Sequence, residues 1–423
     1  MASTFTLPYG GTHVDVRLTA GRLLGVLSPH PVTPSLNVEG EIRSALGSPI
    51  GTRHLSEAAH GAQRVLILAD DLTRRTPVQP MISLLVEELH TAGIRDHQVA
   101  VLIALGTHRP MTSAEIETRF GSDLARRVRI ENSPWQNPDQ LVDLGTTPNG
   151  TPVQVTRPVL EADFIIGLGS VVPHHIAGFS GGAKIVQPGV TGAATTGATH
   201  LFSTRADESY LGQLENPVRA EMEAIAAQVG LKAVLNTVLD HEGRLVRAFF
   251  GEPCHAFRAA AEFSTEVYGV AARAQSHVVV AGAHPCDIEF WQAHKSLYPA
   301  ERLVRRGGTI IVVASCPEGV TTTHRDMLEY TALDAHEIEV LIRNGVITDL
   351  VSGALALAWA KVRRHAHVSL VSEGISDDEA KALGFHPFPS LDDALQAAVQ
   401  RYRANATVTV LTHAPEMLPI LTS

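Results

Sequence analysis

The chain has 423 residues, which is too long for one ordinary domain and predicts two or three domains with a substantial buried core. It is 44% hydrophobic and 18% charged, and no apolar run approaches the about 18 residues that a membrane span requires, so we expect no membrane association. The formal net charge of −10 argues against nucleic acid as a partner, although a few local arginines and lysines can still bind a small anion.

The beginning of the sequence and the cysteines both bear on location. The first residues, MASTFTLPYGG, contain no basic segment followed by an apolar one, so no secretory signal is predicted. Cys254, Cys286 and Cys316 are widely spaced and form no CxxC pair. We therefore expect a cytoplasmic protein without a zinc finger.

The first part of the chain alternates predicted strands with helices. Residues 4 to 28 alternate apolar and polar side chains and predict two or three short antiparallel strands. Three apolar runs then predict buried strands over Arg64 to Ala69, Gln98 to Leu105 and Ala162 to Leu168. Helices are predicted over Pro77 to Ala92 and Met111 to Phe120, the second capped by Thr112 or Ser113. This alternation indicates parallel βαβ units.

Residues with reactive side chains follow each of these three strands. They lie in the segments 70–75, 106–109 and 174–184. Ligands of parallel α/β sheets bind beyond the carboxyl ends of the strands, so this coincidence predicts an active site there.

The third of these segments continues into a glycine-rich turn, GFSGGAK, that contains Lys184. Gly178, Gly181 and Gly182 would allow a ligand to approach the backbone closely. The following TGAATTGATH predicts a short helix that carries His200 near its end. The spacing matches neither a P-loop nor GxGxxG, and a simple chain turn or a phosphate site on backbone N–H groups stays open.

The chain then predicts the end of one domain and a second, smaller one. A helix in ENPVRAEMEAIAAQVG, two strands near Ala233 to Val238 and Leu245 to Phe250, and a helix over 254–273 complete a domain of residues 1–273. A Rossmann-like α/β domain follows over 274–423. Its predicted elements are strands at His277 to Ala281, Thr309 to Ala314, Val368 to Val371 and Thr407 to Leu411, and helices at Asp287 to Arg305, 336–363 and 391–403. Whether the last strand or tail packs back on the first domain stays open.

Several polar side chains are suited to bind an acid and move its protons. Asp71 and Arg74 are three apart at a predicted helix start and would share a face, where the arginine can clamp a carboxylate. His174 and His175 are adjacent, so we expect only one of them to face the cleft. His108 and His174 come from different strands, as two proton carriers on opposite sides of a stereocentre would.

Two further polar side chains that could bind the acid lie in the second predicted domain. Gln292 and Lys295 are also three apart and would add an amide and another cation, although an ordinary solvated helix face explains them equally well. Trp359, in an apolar helix, is expected in the core.

Taken together, the segments LPYG, DDLTRRTP, GTHRPMT, PHHIAGFSGGAKIVQPGV, ATH and WQAHK resemble the nickel-dependent lactate racemases and related 2-hydroxyacid racemases or epimerases along the whole chain. The resemblance implies a two-domain α/β protein, an isomerase, whose interdomain cleft holds a nickel pincer nucleotide. This cofactor is pyridinium-3-thioamide-5-thiocarboxylic acid mononucleotide with nickel, and its loading implies transient contact with cofactor-biosynthesis proteins.

The resemblance also assigns roles to single residues. Lys184 would carry the cofactor covalently, with Gly181 and Gly182 beside it, and His200 would be the protein ligand of nickel. His108 and His174 would be the acid/base pair. The substrate would be positioned by Asp71, Arg74, Gln292 and Lys295. In the implied mechanism the C2 hydride of a 2-hydroxyacid moves to the cofactor, giving a transient 2-keto acid, and returns to the other face.

The identity of the substrate and two other functions stay open. Arg75 and Arg109 either face solvent or bind a second acidic group, as in malate, and Trp291 stands where an aromatic pocket wall is expected. Lactate, malate, aromatic 2-hydroxyacids and sugar acids are therefore all candidates. A metal-dependent hydrolase or lyase using the histidines as ligands, and a non-catalytic carrier of nickel or the nucleotide, are the alternatives.

Overall fold

A computed structural model describes residues 3–402 and 405–422 as an α/β protein built on two six-stranded sheets. The first part of the chain forms β1 (Ser3–Tyr9), β2 (Thr12–Leu18), β3 (Arg22–Leu27), α1 (Val38–Gly47), α2 (Leu55–Ala58), β4 (Val65–Asp70), α3 (Val78–Thr91), β5 (Val99–Ala104), α4 (Ser113–Phe120), α5 (Ser122–Arg127), β6 (Arg129–Asn132), β7 (Leu141–Thr146), β8 (Pro152–Thr156), α6 (Arg157–Glu161), β9 (Phe164–Ser170), β10 (Pro173–His174), β11 (Gly178–Phe179), α7 (Ala193–Ser203), α8 (Pro217–Val229), β12 (Leu231–Leu239), β13 (Leu245–Gly251), α9 (Pro253–Tyr268) and β14 (Gly269–Ala272).

The second part forms β15 (Ser276–Gly282), α10 (Phe290–Ala293), α11 (Leu297–Leu303), β16 (Val304–Val313), α12 (Ala335–Arg343), α13 (Leu350–His365), β17 (His367–Val371), α14 (Asp377–Ala382), β18 (His386–Pro387), α15 (Leu391–Tyr402), β19 (Thr407–Leu411) and β20 (Leu418–Leu421). Residue 403, the predicted end of the helix over 391–403, lies outside the described residues. Across the described ranges, no helix is both long enough and apolar enough to cross a membrane.

The first sheet has the strand order β13-β12-β9-β4-β5-β6, and only β13 runs antiparallel to its neighbour. All six residues of β4 are buried, as expected for an interior strand covered on both faces. The carboxyl ends of β9, β4 and β5 therefore lie side by side at one edge of this sheet. We call the first sheet and the helices packed on it the first lobe.

The second sheet has the order β18-β17-β16-β15-β19-β3 and is parallel throughout. This sheet and its helices form the second lobe. The predicted α/β class with mainly parallel sheets is confirmed.

The N-terminal strands differ from the prediction. β1 and β2 form the expected antiparallel pair, but β3 pairs in parallel with β19, and Leu7 and Val16 pack in one apolar cluster with Val278 and Val280. β3 is thus an edge strand of the second sheet, and β1 and β2 form a separate two-stranded sheet that packs against it. An alternating pattern predicts a strand but not its partner, so the sequence could not place them.

The helix predicted over Pro77 to Ala92 is α3, so Asp71 to Arg74 form a turn before it and do not share a first helical turn. Two other predicted helices differ in their bounds. The predicted helix over Asp287 to Arg305 is divided into α10, a 3₁₀ turn at His294–Ser296 and α11, because Pro299 has no N–H for the carbonyl of Lys295. The helix predicted over 254–273 ends at Tyr268, and β14 follows and pairs with β20.

Candidate active site

A cleft of about 900 Å³ lies between the carboxyl edge of the first sheet and the second lobe. Nine of the ten predicted site residues line it, namely Asp71, Arg74, His108, His174, Gly181, Lys184, His200, Gln292 and Lys295. The tenth, Gly182, is buried beside it with its backbone N–H bonded to Asn236 Oδ1 at 3.1 Å. The segments 70–75, 106–109 and 174–184, which follow three parallel strands, thus meet at one site, as the rule that ligands bind beyond the strand ends predicts.

Asp71 fixes the orientation of His108. The Asp71 Oδ2 atom lies 2.6 Å from His108 Nδ1, and its Oδ1 accepts the backbone N–H and the hydroxyl of Thr73 at 3.1 and 2.5 Å. Burial alone would raise the pKa of Asp71, but the adjacent His108 and Arg74 outweigh it and lower the pKa. Because the carboxylate only accepts hydrogen bonds, Nδ1 carries the imidazole proton and Nε2 is left as an acceptor.

Gln292 joins the two lobes at this histidine. Its amide Nε2 donates to His108 Nε2 at 2.9 Å, and its Oε1 accepts from Arg74 Nη1 at 3.1 Å and from Lys295 Nζ. One acceptor oxygen thus sits between a cation of the first lobe and a cation of the second. Burial, followed by the charge of Arg74, lowers the pKa of Lys295 to about 8.

His174 is held in the opposite tautomer. Its Nδ1 accepts the backbone N–H groups of Ile176 and Ala177 at 3.2 and 3.4 Å, so the neutral ring carries its proton on Nε2. Burial, and then the charges of Lys184 and His175, place its pKa well below the ordinary value. The neutral ring therefore presents an N–H donor.

His175 does not point away from His174 as expected for extended backbone. The two rings stack with centroids 4.7 Å apart, and Tyr298 stacks on His175 at 4.0 Å. The short β10 ends at His174, so the alternation of an extended strand does not reach His175. Both ring nitrogens of His175 are buried without a hydrogen-bond partner among the described residues.

Lys184 lies in the 3₁₀ turn Gly182–Ile185 at the cleft wall. Burial, then the positive charges of Arg74 and Lys295, lower its pKa well below the ordinary lysine value. No salt bridge holds its amine in the described part of the chain. A lowered pKa increases the share of the unprotonated amine, which is the nucleophilic form able to form a covalent bond.

His200 projects into the cleft from α7, near the end of that helix. Its Nδ1 has no hydrogen-bond partner in the described ranges, and burial, then Lys184, lowers the pKa of the ring to about 3. A neutral imidazole with a free nitrogen suits nickel. No group of three or more histidine, cysteine, aspartate or glutamate side chains in residues 3–402 and 405–422 is arranged to hold a metal ion by itself.

The glycines of the turn are needed for packing. A Cβ at Gly181 would lie 2.6 Å from Val171 Cγ2, and one at Gly182 would lie 2.7 Å from Phe257 Cγ, and both residues have positive φ. Contacts with the protein itself thus explain these two glycines. Their contact with a cofactor stays a prediction.

The two other arginines near the site are already paired. Arg75 binds both carboxylate oxygens of Glu416 at 2.7 and 2.8 Å. Arg109 binds Glu115 of its own lobe and Glu318 of the second lobe, at 2.8 and 2.9 Å. Neither faces solvent freely, and neither is left available for a second acidic group of a substrate.

Sequence reasoning missed His324 and its partner Asp349. Their Nδ1 and Oδ2 atoms are 2.5 Å apart, and the His324 ring stacks on Trp291, with centroids 4.1 Å apart. His324 follows β16, so the rule applied to the first sheet would have indicated it in the second. Trp291 lines the cleft as expected, and Trp359 lies in the core as expected.

Two sequence profiles match the chain: the lactate racemase N-terminal domain over residues 9–212 and the lactate racemase C-terminal domain over residues 271–416. The lactate racemase of Thermoanaerobacterium thermosaccharolyticum is 30% identical over 318 residues, 74% of each chain. The lactate racemase of Lactiplantibacillus plantarum is 26% identical over 416 residues, 96% of this chain and 97% of the relative.

Two solved structures are also similar to this chain. The lactate racemase apoprotein from Thermoanaerobacterium thermosaccharolyticum superposes with a TM-score of 0.88 at 26% identity, covering 99% of this chain and all of that one. A protein from Thermotoga maritima, with a TM-score of 0.73 at 21% identity over 92% of this chain and all of its own, shares the fold. The chain belongs to the lactate racemase family, a family of isomerases, as its sequence motifs predicted.

Proposed function

We propose that this chain racemises lactate or a similarly small 2-hydroxyacid with a single carboxylate. The observation that carries the proposal is the position of Gln292 Oε1, an oxygen bound by Arg74 and Lys295 from opposite lobes while the same amide contacts the acceptor nitrogen of His108. A substrate carboxylate oxygen can replace this amide oxygen and gain charge-assisted bonds to both cations. Its 2-hydroxyl would then lie near His108.

The two histidines would have different roles toward the 2-hydroxyl group of the substrate. His108 Nε2 accepts the hydroxyl proton as C2 becomes a carbonyl, and the ionised Asp71 stabilises the imidazolium that forms. His174 donates its Nε2–H to an oxygen of the substrate. On reversal the proton returns from the His108 imidazolium to the substrate oxygen, while the hydrogen bond from His174 stabilises the carbonyl oxygen that exists in between.

The cofactor assignment is part of the proposal. The residues fit a nickel pincer nucleotide, since Lys184 supplies a buried amine of lowered pKa for its covalent attachment and His200 a free imidazole nitrogen for nickel. When bound, this group would accept the C2 hydride and return it to either face. The protein would bind and orient the acid, exclude water and hold the hydroxyl proton on His108.

The ion pairs of Arg75 and Arg109 limit which acids can bind as substrates. Arg75 and Arg109 are occupied by Glu416, Glu115 and Glu318, so a second carboxylate, as in malate, would meet no free cation from these two arginines. Trp291 narrows the cleft beside Gln292. We therefore favour a small monocarboxylate over malate.

The two alternative functions are less well supported. A hydrolase or lyase with its own metal would need the histidines to converge as ligands, and the described residues form no such group. A carrier without turnover would not need His108 held by Asp71 in a base-ready tautomer.

The test uses protein produced together with nickel and the cofactor-biosynthesis proteins. Pure L-lactate and pure D-lactate are incubated separately, and chiral chromatography follows the opposite enantiomer. We expect both to reach the same equal mixture. Absence of inversion with lactate and with other short 2-hydroxyacids, despite a loaded Lys184, would overturn the proposal.

A further inference from the structure

The imidazole of His324 connects the two lobes next to the proposed base. It lies between β16 and α12 of the second lobe, and its Nε2 is 3.0 Å from the hydroxyl oxygen of Thr107 in the first lobe. Thr107 directly precedes His108. Both His324 and Thr107 are 4% exposed, so water competes little for this hydrogen bond.

Asp349 fixes this imidazole in its own lobe. Its Oδ2 binds His324 Nδ1 at 2.5 Å, and its Oδ1 accepts backbone N–H groups of Val351 and Ser352 at 3.1 and 3.3 Å, at the start of α13. The carboxylate can only accept, so His324 donates from Nδ1 and its Nε2 accepts the hydroxyl proton of Thr107. The hydrogen bond between the lobes thus has a defined direction.

The face of the ring contacts the substrate-binding segment. The indole of Trp291 stacks on it with centroids 4.1 Å apart and planes inclined by 16°. Trp291 directly precedes Gln292, whose amide contacts His108. Trp135 of the first lobe has its ring centroid 6.5 Å from that of His324, and its indole N–H donates to the carbonyl of His108 at 3.0 Å.

We infer that His324 is a positioning residue that holds His108 against the second-lobe groups Gln292 and Lys295. It touches no reacting atom. It acts through Thr107 on the backbone of His108 and through Trp291 on Gln292. The inference rests on the proposed racemisation and deepens it, since it concerns the alignment of the same base with the same bound acid.

A purely structural role would look different. A histidine that only fills the core would find its partners within one lobe, whereas this one forms its second hydrogen bond across the cleft. Misplacing a reacting group by about 1 Å can cost about 100-fold in rate, so loss of the bond should appear mainly in kcat.

The experiment compares Thr107→Val, which keeps the shape and loses the hydroxyl, with Thr107→Ser, which keeps the hydroxyl. In the loaded enzyme, Thr107→Val should lower kcat for both lactate enantiomers by about 10- to 100-fold with KM changed much less, and Thr107→Ser should restore kcat to within about threefold. Nickel content and the Lys184 adduct should match the wild type.

His324→Gln completes a double-mutant cycle with Thr107→Val. If the two residues act through one bond, the double variant should lose little more than either single variant. His90→Gln is the matched control, because it breaks another histidine–aspartate contact, His90 Nε2 to Asp96 Oδ1 at 2.7 Å, on the exposed side of α3. It should leave kcat and KM unchanged.

Hydrogen exchange of the unloaded protein gives a readout independent of turnover. Peptides covering 105–110 and 289–296 should exchange faster in Thr107→Val than in Thr107→Ser. Wild-type kcat and unchanged exchange in Thr107→Val would overturn the inference, as would equal loss of kcat in both Thr107 variants. If His324→Gln fails to fold, the comparison of Thr107→Val with Thr107→Ser tests the inference by itself.

The failure of this inference can be distinguished from the failure of the proposed function. A loaded wild type that racemises nothing, combined with the exchange difference, would overturn the proposed function while supporting the contact between the lobes.

Discussion

The two sides of the cleft differ in how their polar atoms are paired. On one side, which we call the paired side, Asp71, Arg74, His108, Gln292 and Lys295 form one continuous hydrogen-bond network. On the other, which we call the open side, His175 and His200 keep buried ring nitrogens without a partner in the described chain, and Lys184 has no acidic neighbour in a salt bridge.

This difference separates two tasks. Leaving a buried polar group unpaired costs about 1 to 3 kcal/mol, so a cluster of such groups indicates a ligand that satisfies them when bound. A satisfied network instead fixes tautomers and distances before the substrate arrives. We therefore assign the cofactor to the open side and substrate binding and proton transfer to the paired side.

The largest effect is expected on the open side. Lys184→Met keeps the length and apolar stem but removes the amine, so the cofactor cannot attach, and racemisation should fall at least about 10³-fold because the hydride chemistry belongs to the cofactor. Chiral chromatography and a nickel assay measure this. Substantial racemisation by the variant would remove Lys184 from the open side's function.

Variants of His108 and His174 should lose turnover but keep the bound cofactor. His108→Ala removes the base and should lower kcat about 10³-fold, while His174→Ala removes a hydrogen-bond donor and should lower it about 10²-fold. Both variants should keep wild-type nickel, because neither residue is the proposed nickel ligand. A normal rate in either variant would exclude that histidine from the mechanism.

A smaller loss is expected when only the orientation of His108 is disturbed. Asp71→Asn can donate to Nδ1 and so favour the tautomer protonated on Nε2, which should lower kcat about 10- to 100-fold with nickel retained. Asp96→Asn, which alters the carboxylate partner of the exposed His90, is the control and should have no effect. Equal activity of the two variants would contradict the role given to Asp71.

The smallest effect is expected in the pH dependence of substrate binding. Lys295 has a pKa of about 8 and binds a carboxylate only while protonated, so kcat/KM should be level between about pH 7, where the His108 base is neutral, and pH 8, and fall about tenfold per unit above pH 8. Lys295→Arg should lower kcat/KM but abolish this alkaline decline, since arginine stays charged. A decline that persists in Lys295→Arg would assign it to another group.

Much of the paired and open sides could be predicted from the sequence. The apolar runs identified β4, β5 and β9, and the reactive residues after them converge because parallel strands end at one edge of a sheet. Asp71 and Arg74 lie in a turn and not in the helical turn that would let them share a face, yet both side chains reach the cleft, because their position at the strand end places them there.

Contacts between distant parts of the chain could not be predicted. Arg109 pairs with Glu318, 209 residues away, and His324 with Thr107, 217 residues away. Such pairs depend on how the lobes dock, which periodicity and motif spacing do not encode. The same limit applies to β3, whose partner strand lies at the other end of the chain.

The assignment of the cofactor to Lys184 is tested most directly by peptide mass spectrometry across residue 184, on protein produced with nickel and the cofactor-biosynthesis proteins. We expect a nucleotide-derived mass on Lys184 and about one nickel per chain, with both lost in Lys184→Met. An unmodified Lys184 in protein that still racemises lactate would contradict it.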